Sequence, residues 1–302
     1  RLLAHEPEAA DEHRMGRVRE IVDLRHPPRA PLGIAGDEVG DAGVALPLVL
    51  VRRPEAGNDG EAHRLLGVGH VPGFVGGLAE RAQQPSPIVG AEAQQVRASV
   101  GLFDITALKR IEVSGKGALE FLMEQTTGKL DKAPGSVTYC LMLTDKAGIL
   151  SDVTVTRLGE NHFTIGANGI IDVARLAMAA PDTVHVRDIT SGTVGLGLFG
   201  PHARKVVQKL TNTDVSNEAF GYFKARELYL DQVPATLWRL SYVGELGYEI
   251  YTSADMGLKL WDTLMAAGAE FGIIPAGRGA YNSMRLEKGY RMYGTDMTSE
   301  HR

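Results

Sequence analysis

One cysteine, Cys140, stands in the 302 residues. It excludes an internal disulfide and any cysteine-built metal site, and it fits a reducing compartment. A lone thiol of this kind reads as a small buried hydrophobe. No apolar run reaches the roughly 18 residues needed to cross a bilayer. The first residues mix His, Glu, Asp and Arg instead of forming an apolar core, so no signal peptide is read and a cytoplasmic location is expected. A strong charge of either sign is also missing. The formal net charge of −5 leaves no broad basic field for nucleic acid or an anionic membrane. What remains, 44% hydrophobic and 23% charged, is ordinary for a soluble globular chain with room for two domains.

The sharpest absences are local. Residues 1–84 hold no Ser, Thr, Lys, Tyr, Trp or Cys, and Phe74 is their only aromatic. Charge does not account for this, since 10 Arg stand against 13 Asp and Glu there. Three explanations compete: a low-complexity extension, a small domain of unusual composition, or a stretch read from another frame of a GC-rich gene. The loss of whole residue classes favours the last, and this segment is expected to carry no chemistry. Gly67-Val-Gly69-His-Val-Pro-Gly73 approaches a dinucleotide fingerprint but has one residue too many, and Pro72 stands where the helix should open. His5, His13, His26, His63 and His70 lack the spacing of metal ligands.

From residue 85 the local signals agree with one another. Helices are expected over 91–100, 117–128, 169–180, 201–210, 254–271 and 277–288. Strands are expected over 110–114, 162–167, 183–189, 194–199, 227–233, 235–243 and 248–252. A hairpin is expected from 137–144 and 149–158 around Asp145-Lys-Ala-Gly148. The elements alternate in mixed clusters without a regular βαβ repeat. That argues an α+β fold with mixed, largely antiparallel sheets and packed helices.

Three constellations could carry chemistry. Asp152, in Gly148-Ile-Leu-Ser151-Asp152, lies where a strand leaves a turn. It reads either as a capping or solvated acid or as a carboxylate at the mouth of a pocket, facing a substrate amine. Glu245, in Tyr242-Val-Gly-Glu245-Leu-Gly247-Tyr-Glu249, is flanked by glycines that let backbone approach a ligand. A carboxylate there could accept two parallel hydrogen bonds from a flat heterocycle, or the segment could be a hairpin with exposed acids. Gly277–Tyr290 reads as glycine entry, helix and glycine exit. Its Arg278 or Arg285 could bind a carboxylate tail or serve structure alone.

Taken together, these segments resemble one family. Phe103-Asp-Ile-Thr106, Tyr139 before Gly148–Asp152, Ser241-Tyr-Val-Gly-Glu245-Leu-Gly-Tyr-Glu249-Ile, and Met284-Arg-Leu-Glu-Lys-Gly289 occur in the order and spacing of the glycine-cleavage T-protein (aminomethyltransferase) folate-binding domain. The resemblance covers residues 85–302 and none of 1–84. Ser283–Tyr290 and the closing Tyr293–His301 are most similar to the version fused to FAD-dependent dimethylglycine or sarcosine dehydrogenases and oxidases. The stand-alone T-protein usually has paired aspartates after its glycine turn, where this chain has Ser151 first. It usually has Arg-Asp in the late helix, where this chain has Tyr281-Asn282.

The resemblance implies tetrahydrofolate as cofactor, the aminomethyltransferase fold lacking its C-terminal barrel domain, and transfer of a one-carbon unit from an iminium or formaldehyde equivalent to give 5,10-methylenetetrahydrofolate. The donor would derive from a small methylated amine such as a methylated glycine. FAD would enter only through a flavoprotein domain or partner. Asp152 is the implied catalytic carboxylate. Tyr139, Tyr242, Glu245 and Arg285 are the implied folate-binding residues, and no metal is implied. The alternatives are the stand-alone aminomethyltransferase reaction and a folate-binding or inert fragment without catalysis.

Overall fold

The structure, a computed structural model, describes residues 86–301. Helix α1 (Pro87–Ala98), with proline in its first turn, leads into a short strand β1 (Gly101–Asp104). The chain then leaves β1 to build a separate sheet. Its strands are β2 (Lys109–Gly115), β3 (Val137–Leu143), β4 (Ile149–Gly159), β5 (His162–Ala167) and β6 (Val184–Asp188), ordered β3-β4-β5-β2-β6 and antiparallel throughout. Period-two alternation decides which face is buried. Ile111, Val113, Val153, Val155, Phe163 and Ile165 turn inward onto Phe121 and Leu122 of α2 (Ala118–Gln125) and Leu176 of α3 (Ile170–Ala179).

Strand β7 (Thr193–Phe199) returns the chain to β1, pairing Gly101 with Phe199. After α4 (Ala203–Lys209) come β8 (Lys224–Leu230), β9 (Val233–Arg239) and β10 (Gly247–Ser253). Helix α5 (Gly257–Gly268), the two-residue β11 (Ile274–Pro275) and α6 (Arg278–Lys288) complete the order. The second sheet runs β11-β1-β7-β10-β9-β8, and only the β11–β1 pair is parallel. One face packs Leu198, Tyr248 and Ile250 beneath Val206 of α4 and Leu260 and Leu264 of α5. The other face turns Phe103, Phe199, Trp238 and Tyr251 toward Val96 of α1 and Ala280 and Met284 of α6. The two sheets meet along their edges, where Val137 N–H donates to Phe223 O at 3.0 Å and Ala225 N–H to Gly135 O at 2.7 Å.

The α+β architecture with largely antiparallel sheets is thus as the sequence indicates. Two details differ. Strands β1 and β11 have no counterpart in the sequence reading. The strands expected over 227–233 and 235–243 lie earlier, at Lys224–Leu230 and Val233–Arg239, and pair as a hairpin. Its two-residue turn is Asp231-Gln232, with Asp231 held at φ 53°. No glycine marks that turn, so Val233 reads as the end of a strand when it is the start of one. Among the described residues no helix is long and apolar enough to cross a membrane. The Gly67–Gly73 motif and the five early histidines lie outside the described residues.

Candidate functional site

Asp152 sits on β4 one residue past Ser151, and the alternation sends the two side chains to opposite faces. Ser151 is fully buried while Asp152 is partly exposed. Tyr139 on β3 pairs with Thr154, which makes it a diagonal neighbour of Asp152 on the same face. Its hydroxyl donates to Asp152 Oδ2 at 3.0 Å. Asn168 Nδ2 donates to Asp152 Oδ1 at 2.7 Å. Both carboxylate oxygens are therefore fixed by neutral donors. Burial, and then the Asp152 charge, push the Tyr139 phenol up, so it stays a donor. Behind this pair lies a second layer. Ser151 Oγ donates to the buried Asp172 at 3.0 Å, and the Asn168 and Gly169 backbone N–H groups donate to the same Asp172 oxygen at 3.2 Å.

A second carboxylate is buried at some remove. Glu249 on β10 faces away from the α4–α5 side and is 8% exposed. Its β7 neighbour is Gly197, one of two glycines in Thr193-Val-Gly195-Leu-Gly197-Leu-Phe199 that share a face. A Cβ at Gly195 would meet the Tyr251 ring at 2.7 Å, and one at Gly197 the Phe199 ring at 2.4 Å. The Tyr251 and Phe199 rings lie directly over these glycines, which have no side chain to exclude them. Tyr251 Oη donates to Glu249. Burial pushes the Glu249 carboxyl above the usual range, against the opposing pull of Tyr251 and the Arg110 cation.

Arg110 reaches this place from β2 of the other sheet. Its guanidinium lies 3.2 Å from the Tyr251 ring centre and 4.4 Å from that of Trp238. It is 5% exposed, and Nε and Nη1, like Trp238 Nε1, are buried without a hydrogen-bond partner among the described residues.

A group of stacked tyrosines lies within electrostatic reach of both carboxylates. Tyr242 stacks on Tyr281, with centroids 5.4 Å apart, and on Tyr290 at 5.9 Å. Tyr281 packs edge-on against Phe103 at 5.7 Å. Burial first, then the Glu249 charge, raise the Tyr281 phenol. Burial raises Tyr242 to about 12, Arg285 opposes the rise and Asp152 adds to it. Tyr242 thus feels Asp152 while its stacking partner feels Glu249. The Tyr139 hydroxyl bonds Asp152, and Tyr242 lies within electrostatic reach of both.

Glu245 and Arg285 are both engaged by partners within the protein. Glu245 accepts from Arg97 of α1 at 2.7 Å, and the same guanidinium holds Glu287 of α6. Arg97 thus ties the Glu245 loop and α6 to α1. Arg285 is 2% exposed and is engaged by Asp296, the Asn282 side chain at 2.8 Å and Tyr290 O at 3.0 Å. It organises the segment after α6, whose Arg291 carbonyl accepts from Tyr242 Oη at 2.5 Å and whose His301 carbonyl accepts from Ile149 N–H at 3.1 Å. Arg278 is exposed. Among the described residues no group of three or more His, Cys, Asp or Glu converges to hold a metal ion.

A family profile described as "GCVT N-terminal domain" matches residues 69–302, beginning ahead of the compositional break near 85. The chain is 35% identical over 213 residues to the protein named aminomethyltransferase in Geobacillus thermodenitrificans, covering 69% of this chain and 58% of the relative. It is 31% identical over 218 residues to the mitochondrial dimethylglycine dehydrogenase of Rattus norvegicus, covering 70% of this chain and 25% of the relative. The crystal structure of glycine cleavage system aminomethyltransferase T from Bartonella henselae matches the fold with a TM-score of 0.63 at 31% identity, covering 71% of this chain and 58% of that one. The match therefore spans between a quarter and somewhat over half of these relatives' lengths. With the sheet pair, the profile and these identities in agreement, the chain belongs to the GCVT N-terminal domain family.

Proposed function

We propose that this domain holds tetrahydrofolate along the Asp152–Tyr242–Tyr281–Glu249 path and serves in forming 5,10-methylenetetrahydrofolate. The carbon would come from an iminium or formaldehyde equivalent left by demethylation of a methylated glycine. The observation that carries this reading is the pair of unlike carboxylates with stacked tyrosines in electrostatic reach of both. One is partly exposed and held by Tyr139 and Asn168; the other is buried beside Arg110. The donor set fits the folate. A flat ring finds aromatic faces, and its N–H groups find a buried acceptor in Glu249. When bound, the folate supplies two amine nucleophiles.

The chain's residues orient those amines and manage their protons. Asp152 accepts a hydrogen bond from a reacting amine and takes its proton as the new bond forms. Tyr139 and Asn168 keep both its oxygens in register. Tyr242 offers its ring to the folate and is fixed by its bond to Arg291 O. Glu249, in place of the expected Glu245, grips the pterin edge. Arg285 acts through the fold by holding Tyr290 and Asp296. The oxidation that releases the carbon is assigned to an FAD-bearing domain or partner.

The test is D152N in the full chain. Transfer from formaldehyde to tetrahydrofolate should fall by roughly 100- to 10,000-fold, while calorimetric affinity for tetrahydrofolate changes only a few-fold. Undiminished transfer overturns the role of Asp152. Absence of binding in the unmodified protein overturns the folate reading.

A further inference from the structure

A cation inside a protein needs acceptors. An arginine presents five N–H donors and keeps its charge at any working pH. Leaving a buried donor unmet costs roughly 1–3 kcal/mol, and more for a charged group. Arg110 violates this expectation twice, since Nε and Nη1 are both buried and unpartnered among the described residues. The aromatic faces of Tyr251 and Trp238 stabilise the charge but accept no in-plane hydrogen bond. Nor does Glu249 resolve the matter. It interacts electrostatically with Arg110, but no ion pair within 4.0 Å joins them, and its carboxylate is engaged by Tyr251. The guanidinium lies over two rings that are themselves neighbours, their centroids 4.8 Å apart, and next to a buried carboxylate. Trp238 Nε1 adds another unpartnered donor in the same cluster.

This arrangement is a two-part template. Glu249 accepts; Arg110 donates; the two stand near one another without closing on each other. A complementary ligand edge carries N–H donors followed by an acceptor oxygen. A 2-amino-4-oxo pyrimidine ring has that order along one edge: amino group, ring N–H, carbonyl. We infer that Arg110 is a recognition residue for the 4-oxo oxygen of such a ring, with Glu249 taking the neighbouring N–H groups. The inference rests on the folate reading and adds to it a residue from the opposite sheet and a rule of selectivity. The site should distinguish a 4-oxo from a 4-amino ring, because a 4-amino group would set a donor against the guanidinium donors.

The test uses the full chain and calorimetry with two probes, tetrahydrofolate and its 4-amino counterpart, on the unmodified protein and on R110M and R110K. A hydrogen bond to a charged partner is worth roughly 10- to 100-fold in affinity. R110M should lose about that much for tetrahydrofolate and little for the 4-amino probe, so the preference between the probes narrows by that factor, and what remains comes from Glu249, which finds no ring N–H donor on the 4-amino ring. R110K, which keeps a charge but not the planar fork, should fall between. Thermal melting without ligand supplies a second readout. Methionine replaces an unsatisfied cation with an apolar chain of similar reach, and Glu249 can take up a proton, so the melting temperature should hold or rise. A clear drop in melting temperature would make Arg110 a structural cation and overturn the inference. So would equal loss for both probes, or no loss for tetrahydrofolate, and those results leave the folate reading standing. Failure of the unmodified protein to bind either probe overturns both.

Discussion

At the scale of single residues, the Asp152 site depends on a neutral group at position 151. Ser151 is fully buried and donates to Asp172, a carboxylate whose side chain is 2% exposed. The stand-alone T-protein pattern has an aspartate where this chain has Ser151. Grafted here, S151D would set two carboxylates against each other inside the protein, and one of them would have to take a proton. The expected cost at neutral pH is roughly 3–5 kcal/mol, the cost of an uncompensated buried charge. The sign follows from linkage. The folded-state pKa of the shared pair lies above the unfolded value, so stability recovers as pH falls through the raised value and is lost as pH rises. Urea unfolding of S151D at several pH values checks this. A deficit that does not shrink toward acid pH would show that Asp172 does not face position 151 as a charge. Arg175 pairs with Asp172 at 3.5 Å and carries a single charge, so it offsets one of the two carboxylates and not both.

At the scale of elements, β7 matters most for the site, and its sequence shows why. The strand alternates Val194, Leu196 and Leu198 on the helix side with Gly195 and Gly197 on the other. G197A would place a methyl at 2.4 Å from the ring of Phe199. That ring is fully buried and packed against Phe103 at 5.6 Å and Tyr281 at 6.2 Å, so it has no room to yield. Overpacking of this kind costs about 1–3 kcal/mol. Because Gly197 pairs with Glu249, folate affinity should fall along with the urea midpoint. A G197A protein with unchanged stability would show that the ring is free to move.

The alternation in β7 was legible, as were the helices and the five strands of the first sheet, because each carries its own periodicity. Strands β1 and β11 were not. Four residues and two residues hold no pattern, and their pairing comes from partners far along the chain. The site divides the same way. Asp152 and Tyr139 lie in one hairpin, where neighbours in sequence are neighbours in space. Arg110 stands on a strand whose second face is buried only because another sheet covers it, so nothing local marks it. Glycines on either side drew attention to Glu245, whereas strand alternation through Gly247–Ser253 puts Glu249 inside.

At the scale of the whole molecule, the carboxylates divide by the direction of their shifts, and the two groups oppose each other. Asp188 is held down at about 2, first by the Thr190 side chain and backbone and then by Lys109. Asp214 and Asp296 are also held below the usual range, chiefly by backbone N–H donors at Ser216 and Met292. Depressed carboxyls stabilise the fold above their unfolded pKa, and that contribution is lost as pH falls through the folded values. Glu249 runs the other way. Its folded pKa is raised by burial, so its contribution is full below the unfolded value and lost as pH rises through the folded one. The stability of the ligand-free protein should therefore climb from strong acid, pass a maximum, and decline on the side toward neutrality, with a limiting slope of about 1.4 kcal/mol per pH unit for one proton.

The variant E249Q removes the descending limb and leaves the acid limb, which belongs to the surface aspartates. Its stability relative to the unmodified protein should be lowest at acid pH and rise toward neutrality. Bound folate should have the same effect in the unmodified protein, because a ligand that donates to Glu249 favours its ionised form. Melting temperatures of both proteins from pH 4 to pH 8, with and without tetrahydrofolate, decide the point. Parallel curves for E249Q and the unmodified protein would mean that Glu249 keeps its charge state across the range. The carboxylate would then be a fixed anion beside Arg110 and not a group whose ionisation the ligand sets.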